Sequence, residues 1–342
     1  METTLSDKTI VITGATGLIG SHLVRELLRR GAEVRALGRS VEKMERVFAN
    51  EKRNTRFSYS IGELSLEFLK KLGKIDYIFH AASPISGEEI KYHPVDVIAA
   101  NIDGARVCLD FLRKQKEEHG YCGRMIIFSS ATVYGKTTED RTVVESQTEI
   151  AGELCKANAP YSESKRMVEV IAKAYNRQYG VDCVIARMGY VYGYTKIPPA
   201  TAFYEFINKG LQGDNITVNN AGIPRRDNIY VSDVVNGLIL LAEKGVVGEA
   251  YNISSNGEKG NYCAADELGE YIVNEINTKI KSRKIMIKRN LKKGVRESGI
   301  KLNNSKLKEL GWKLETSIAD GIRETLEQYY REYEKGSLEN KC

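Results

Sequence analysis

The segment TIVITGATGLIGSHL, from Thr9 to Leu23, places Gly14, Gly17 and Gly20 between an apolar run and leucines at helical spacing. Thr9 to Gly14 reads as a buried strand. Leu23, Val24, Leu27 and Leu28 then share one face of a helix that Gly31 stops. A strand that turns through glycines into a helix admits few fold classes. With no side chains in the way, backbone amides can approach a diphosphate closely, and the helix terminus adds partial positive charge there. Gly14 permits the tight turn, Gly17 the close passage of the ligand, and Gly20 the packing of helix on strand. Leu18 and Ile19, which open the helix, join the expected cofactor contacts.

Downstream the pattern repeats. A strand spans Glu33 to Gly38, and after a polar region IDYIFHAAS begins another at Ile75. A long helix follows from about Pro94 to Lys116, then the strand MIIFSSATVYG from Met125, a helix from Pro160 to near Gly180, and CVIARMGYVYG from Cys183. This alternation predicts an α/β fold with a Rossmann-type doubly wound parallel sheet, helices on both faces and right-handed crossovers. Beyond Gly193 it loosens into a loop and helix (IPPATAFYEFINKG), a strand and helix (DNIYVSDVVNGLILLAEKG), and charged helical stretches near Leu307 and from Ile318 to Tyr333. With 342 residues, 42% of them hydrophobic, the chain can build two lobes. The expected organisation is an NAD(P)-binding domain over residues 1–185, with a later return near 226–254, and a smaller, mainly substrate-binding lobe over 186–342.

Other function classes recede on composition. No apolar run approaches the roughly 18 residues of a membrane span, and METTLSDKTIVITG lacks the basic and apolar blocks of a secretory signal, so a soluble cytoplasmic protein is expected. The six cysteines (Cys108, Cys122, Cys155, Cys183, Cys263, Cys342) form no CxxC pair, and His22, His80, His93 and His119 are scattered. Reduced packed thiols and no metal site follow. The net charge of +6 owes much to KSRKIMIKRNLKKGVR, Lys281 to Arg296, where no aromatic residues interleave the bases. That favours a solvated surface over a nucleic-acid patch, with one arginine meeting a phosphate as a further option.

The second strand ends Gly38, Arg39, Ser40. It offers no carboxylate to ribose hydroxyls, and its guanidinium suits a 2′-phosphate, so NADP(H) is favoured with NAD(H) possible. An exposed arginine without a ligand is the alternative.

Tyr161 and Lys165, in YSESK, stand four apart on one helical face. A nearby ammonium and a positive nicotinamide ring would stabilise the phenolate, which can then exchange a proton with an alcohol hydroxyl. Tyr192 and Lys196 match the same spacing, but Gly193, Pro198 and Pro199 disfavour a helix there. Upstream, Ser129 and Ser130 close a strand at the sheet's carboxyl edge, where a serine can hold the reacting oxygen or simply terminate a turn.

Together these residues resemble the NAD-dependent epimerase/dehydratase family, the extended short-chain dehydrogenases/reductases acting on nucleotide sugars. TGATGLIGSHL, HAAS, NIDGA, SSATVYG, YSESK, RRDNIYVSDV, GEAYNIS and LKELGW carry the resemblance in order along nearly the whole chain. It implies Ser130, Tyr161 and Lys165 as catalytic, with Tyr161 and Lys165 also touching cofactor. It implies Glu63 of IGEL at the adenine, where aspartate is commoner, and Ala81, Ala82 and Asn101 along the cofactor. Arg226 matches an arginine holding the substrate diphosphate, with a surface ion pair to Asp227 or Asp233 as the alternative, and Arg296 is a second candidate. Ser130, Thr132 and Tyr190 complete the implied substrate contacts.

Two departures bear on the reaction. Where the family's 4,6-dehydratases resemble one another in an acidic pair, this chain has Ala131 and Thr132, which disfavours dehydration. Where many epimerases have asparagine, it has Tyr190. The resemblance implies a nucleotide-sugar substrate, a homodimer through the two long helices, and hydride transfer at the sugar 4-position, leaning to reduction of a 4-keto sugar. A 4-epimerase with tightly bound cofactor is the alternative, and a non-enzymatic NADP(H) sensor is the alternative of another class.

Overall fold

The computed structural model describes residues 5–84, 86–135, 141–147, 159–219, 224–280, 284–290 and 299–339, with side chains through 332. Its first half alternates strand and helix: β1 (Thr9–Thr13), α1 (Leu18–Arg29), β2 (Glu33–Gly38), α2 (Val41–Val47), β3 (Phe57–Ile61), α3 (Leu66–Lys70), β4 (Tyr77–His80), α4 (Gly87–Tyr92) and α5 (Pro94–His119). There follow β5 (Arg124–Ser130), β6 (Arg141–Val143), α6 (Ala159–Tyr179), β7 (Asp182–Met188), β8 (Tyr190–Tyr192), α7 (Ala202–Gln212) and β9 (Ile216–Asn219). The remainder holds β10 (Arg226–Tyr230), α8 (Val231–Lys244), β11 (Ala250–Ile253), β12 (Tyr262–Cys263), α9 (Ala265–Lys279), β13 (Ile287–Asn290), β14 (Ile300–Leu302), α10 (Ser305–Glu309) and α11 (Ile318–Glu339).

Seven strands form one parallel sheet in the order β11-β7-β5-β4-β1-β2-β3. Winding leaves β1 in both directions, so the order reverses between β1 and β4, where a crevice opens at the carboxyl ends of the strands. The alternation of β1 shows why both faces are covered. Ile10 and Ile12 enter a core with Leu23 and Leu27 of α1 and Leu238 of α8, whereas Val11 enters a second core with Leu109 and Leu112 of α5 and Val168 of α6. This is the Rossmann-type doubly wound sheet that the sequence predicts.

Three features depart from the sequence reading. The strand β3 was hidden in the polar region because FSYSI buries only Phe57 and lies at the sheet's edge, so no apolar run marks it. The segment CVIARMGYVYG is two strands. It breaks at Gly189, where a Cβ would stand 2.6 Å from the Asp227 carbonyl oxygen, and β8 leaves the main sheet to pair with β10. Finally, β11 alone returns to the main sheet, beside β7; β10 belongs to a small sheet ordered β12-β10-β8. Two further strand pairs, β9 with β13 and β6 with β14, complete the carboxy-terminal part.

Cys108, Cys183 and Cys263 are buried free thiols and Cys122 is partly buried; Cys155 and Cys342 lie outside the described residues. So do Arg296 and the rest of the basic segment apart from residues 284–290. Among the described residues no group of three His, Cys, Asp or Glu side chains is placed to hold a metal, and no helix is long and apolar enough to cross a membrane.

Candidate active site

The turn from β1 into α1 works only with glycine. Gly14 has φ +62°, and a Cβ there would lie 2.7 Å from the Ala82 amide nitrogen and 2.8 Å from the Ala81 carbonyl. A Cβ on Gly20 would stand 2.5 Å from the Gly14 carbonyl oxygen, so this glycine sets how closely α1 packs on the turn. Gly17 differs. Its Cβ would meet only the Gly14 oxygen, at 3.4 Å, and otherwise enter open space. As N-cap of α1 it provides no side-chain cap, and no acid follows in the first turn, which Leu18 and Ile19 open. Unclaimed amides, helix polarity and room for one more group make a cradle that fits a diphosphate.

Beside it, Ala81 and Ala82 follow β4. The Ala82 amide donates to Thr13 Oγ1 (3.2 Å), which also meets His80 Nδ1 at 2.9 Å. His80 is buried; burial, with Lys165 nearby adding a positive charge, pushes its pKa down to about 3. Neutral, it ends β4 and ties that strand to Thr13 of β1. At the ends of β2 and β3, Gly38 pairs with Ile61, which brings exposed Arg39 and Glu63 to the same edge of the sheet. Ser40 is occupied in capping α2, where its Oγ accepts from the Lys43 amide.

Tyr161 and Lys165 project from α6 toward the carboxyl end of β5. Lys165 Nζ donates to the Phe128 carbonyl at 2.8 Å and lies 5.8 Å from the Tyr161 ring centroid. Burial lowers its pKa to about 8. Ser130 ends β5 and caps the following 3-10 turn, accepting from the Thr132 amide (3.2 Å) and Thr132 Oγ1 (3.1 Å). With both lone pairs used, its own hydrogen remains for the Tyr161 oxygen, to which it is hydrogen-bonded. Burial raises the Tyr161 pKa; the Ser130 bond opposes this and the Tyr190 phenol adds to it. The tyrosine therefore holds its proton, and the lysine points first at a backbone carbonyl rather than at the phenol.

Asn101 acts as a strut. Its Oδ1 accepts from Ser83 Oγ (2.7 Å), and its Nδ2 donates to Ser164 Oγ (2.9 Å), which in turn donates to the Tyr161 carbonyl (3.0 Å). Both ends of its amide are thus taken by protein groups beside the catalytic candidates.

The sequence reading missed a buried network under these groups. Ser129 Oγ donates to Glu169 Oε1 at 2.5 Å, and Arg187 grips the same carboxylate through Nε (2.9 Å) and Nη2 (2.6 Å). Arg187 Nη1 reaches the Tyr134 hydroxyl (3.1 Å) and the Glu145 carbonyl (2.7 Å), and Tyr134 donates to Asn252 Oδ1 at 2.5 Å. Helix α6 is thereby fastened to β5, β7 and β11. Two signals were available: Glu169 continues the Tyr161, Lys165 spacing onto the same face, and Arg187 is a cation inside an apolar strand.

On the other wall stands Arg226. Alternation along β10 turns Asp227 inward, where it accepts from Ser255 and from the Leu302 amide (2.9 Å). Asp233 likewise accepts from the amides of Glu315 (2.9 Å) and Thr316 (3.1 Å). The two carboxylates weighed as partners are therefore occupied, and among the described residues Arg226 makes no ion pair. Its guanidinium carbon instead sits 4.7 Å from the ring centroid of Tyr190. Arg225, its neighbour, is committed to Glu267 (3.0 Å) and the Tyr262 carbonyl (2.9 Å). The second YxxxK match is no pair on a helix: Tyr192 is buried in β8, and Lys196 faces Glu332 at 3.9 Å.

A doubly wound parallel sheet, a glycine cradle at its switch point and a helical tyrosine-lysine pair facing the same edge define a short-chain dehydrogenase/reductase architecture. The family model described as the NAD dependent epimerase/dehydratase family matches residues 10–254, and the chain belongs to that family. Among curated proteins it is 25% identical over 339 residues to the Arabidopsis thaliana trifunctional UDP-glucose 4,6-dehydratase/UDP-4-keto-6-deoxy-D-glucose 3,5-epimerase/UDP-4-keto-L-rhamnose-reductase, covering 96% of this chain and 48% of that one. The chain spans about half the length of this relative and of two similar ones. It is 29% identical over 324 residues to UDP-glucuronic acid decarboxylase 3 of the same plant, covering 92% and 86% of the two chains. The solved UDP-glucuronic acid 4-epimerase of Bacillus cereus, in complex with UDP-glucuronic acid and NAD, superposes with a TM-score of 0.76 at 24% identity over 93% of this chain and 98% of that one.

The buried ion pair yields a stability prediction. Arg187→Met leaves the Glu169 carboxylate buried without its partner, and the cost is expected at about 3–5 kcal/mol. The Glu169→Leu, Arg187→Met double variant is expected to recover much of that loss in chemical denaturation. A double-variant loss equal to the sum of the losses in Arg187→Met and Glu169→Leu alone would show that the pair is not coupled.

Proposed function

We propose that the chain is a nucleotide-sugar oxidoreductase acting at the sugar 4-position, with net reduction of a 4-keto sugar as the favoured direction. The reading is carried by the Tyr161 hydroxyl, hydrogen-bonded to Ser130 and close to the Lys165 ammonium at the edge where the diphosphate cradle opens. When bound, a nicotinamide dinucleotide supplies the hydride. Residues 1–185, with the β11 return, hold that cofactor, and residues 186–342 mainly hold the substrate. On substrate binding the single Ser130 hydrogen turns from the Tyr161 oxygen to the 4-oxygen and keeps it beside Tyr161. Tyr161, kept protonated by burial, gives its proton to that oxygen as it becomes an alkoxide. The Lys165 charge stabilises the phenolate left behind. Arg226 and Arg296 hold the diphosphate, and Thr132 and Tyr190 border the sugar.

Ala131 supports this choice over dehydration, because no acid follows Ser130 to eliminate water. Epimerisation uses the same three residues and is the alternative. Incubation with a panel of UDP- and dTDP-sugars, including 4-keto sugars and UDP-glucuronic acid, followed by mass analysis, separates the outcomes. Stoichiometric consumption of reduced cofactor supports reduction, isomer formation without it means epimerisation, loss of carbon dioxide means decarboxylation, and no turnover of any sugar leaves a dinucleotide sensor.

Tyr161→Phe is expected to abolish turnover with cofactor affinity nearly unchanged, since only the proton donor is lost. In the parent, kcat/KM for reduction is expected to fall as pH rises through about 8, because Lys165 then gives up the charge that stabilises the phenolate. Turnover by the phenylalanine variant near the parent rate, or a flat profile across that range, would remove these roles.

Exposed Arg39, with no acid at the end of β2, supports NADP(H) over NAD(H). Arg39→Asp is expected to reverse the preference, measured as the ratio of dissociation constants for the two dinucleotides; an unchanged ratio sinks the argument.

Helices α5 and α6 pack side by side and expose Val95, Ile98, Met167 and Val170. Such a face supports a homodimer built on these helices. Sedimentation equilibrium is expected to give twice the mass of the chain, and Val170→Lys to shift it toward the monomer; a parent that sediments as a monomer would refute the dimer.

A further inference from the structure

Strands β8 and β10 run parallel, with Tyr190 in register with Asn228. Arg226 lies two residues earlier on the same face of β10, so its long side chain reaches diagonally across to the tyrosine ring. The ring is 45% exposed and the guanidinium carbon is 4.7 Å from its centroid. Arginines beside acids spend their donors on carboxylates, as Arg225 does on Glu267. At Arg226 the same attraction is met by a π-face, which orders the cation without taking donors to a carboxylate. An aromatic partner also adds no negative charge to repel an incoming anion.

We propose that Tyr190 is a positioning residue that presents Arg226 to the diphosphate of a nucleotide sugar through its ring face. The inference rests on the nucleotide-sugar reading above and extends it, because the ring orders the anion-binding arm before the substrate arrives.

The test is a pair of variants at Tyr190 with Arg226→Ala as control, measured by calorimetric titration with UDP and dTDP. Tyr190→Leu removes the π-face and is expected to weaken diphosphate binding roughly three- to tenfold. Tyr190→Phe keeps the face and is expected to bind as the parent does. Leucine binding as tightly as tyrosine while Arg226→Ala binds weakly would overturn the positioning role and leave the substrate class standing. If Arg226→Ala binds as the parent does, or the parent binds neither diphosphate, the nucleotide-sugar reading fails and this inference fails with it. Equal weakening by leucine and phenylalanine would place the effect in the hydroxyl and overturn the assignment to the ring.

Discussion

The buried contact between Glu169 and Arg187 governs the geometry of the site more than any group at its surface. Two charges inside an apolar layer are costly unless each is matched by short, directed bonds. Here the carboxylate takes Ser129 and two arms of the guanidinium, and the guanidinium also takes Tyr134 and a backbone carbonyl. Ser129 adjoins Ser130, and Glu169 stands one helical turn beyond Lys165. A shift of α6 along β5 would therefore break a buried ion pair before it misplaced the phenol. Lys165 strengthens the same registration by bonding to the Phe128 carbonyl on the strand itself. Such a network contributes little net stability compared with an apolar core, but it selects one register of helix on strand.

Parallel topology supplies the other half of the arrangement. In a sheet wound in both directions from β1, the carboxyl ends of adjacent strands diverge at one crevice, and Gly14, Ala81, Ala82 and Ser130 all lie at strand ends on that edge. Glycine at position 14 is demanded by the backbone of Ala81 and Ala82, so the cradle and the neighbouring β4 edge are built against each other. His80, at the end of β4, ties that edge to Thr13 as a neutral group; an imidazolium there would repel Lys165, and burial removes that option.

How much of this was legible in the sequence depends on the range of the interaction. Apolar runs and helical stripes disclosed β1, α1, β2, α5, α6 and α8, because a core writes its period locally. Strand β3 writes no such period, since a strand at the sheet's edge with one buried residue looks like a loop. The break at Gly189 was invisible because its cause, the Asp227 carbonyl, lies far along the chain. The Glu169–Arg187 pair was missed for the same reason, although a charge in a buried stripe on each element hinted at a partner elsewhere. The inward turn of Asp227, which leaves Arg226 outside, was not readable either, because its partners Ser255 and the Leu302 amide lie far along the chain.

Tyr161 illustrates what proximity and charge do separately. A lysine four residues along a helix suggests an ammonium held against a phenolate, yet burial acts on both groups in opposite senses, raising the phenol and lowering the amine. Each shift favours the neutral form, so the protein alone does not prepare a phenolate; it stores a proton on the tyrosine. That disposition suits donation to a developing alkoxide better than abstraction from an alcohol. An enzyme required to oxidise first would need the missing positive charge from its cofactor before Tyr161 became a base.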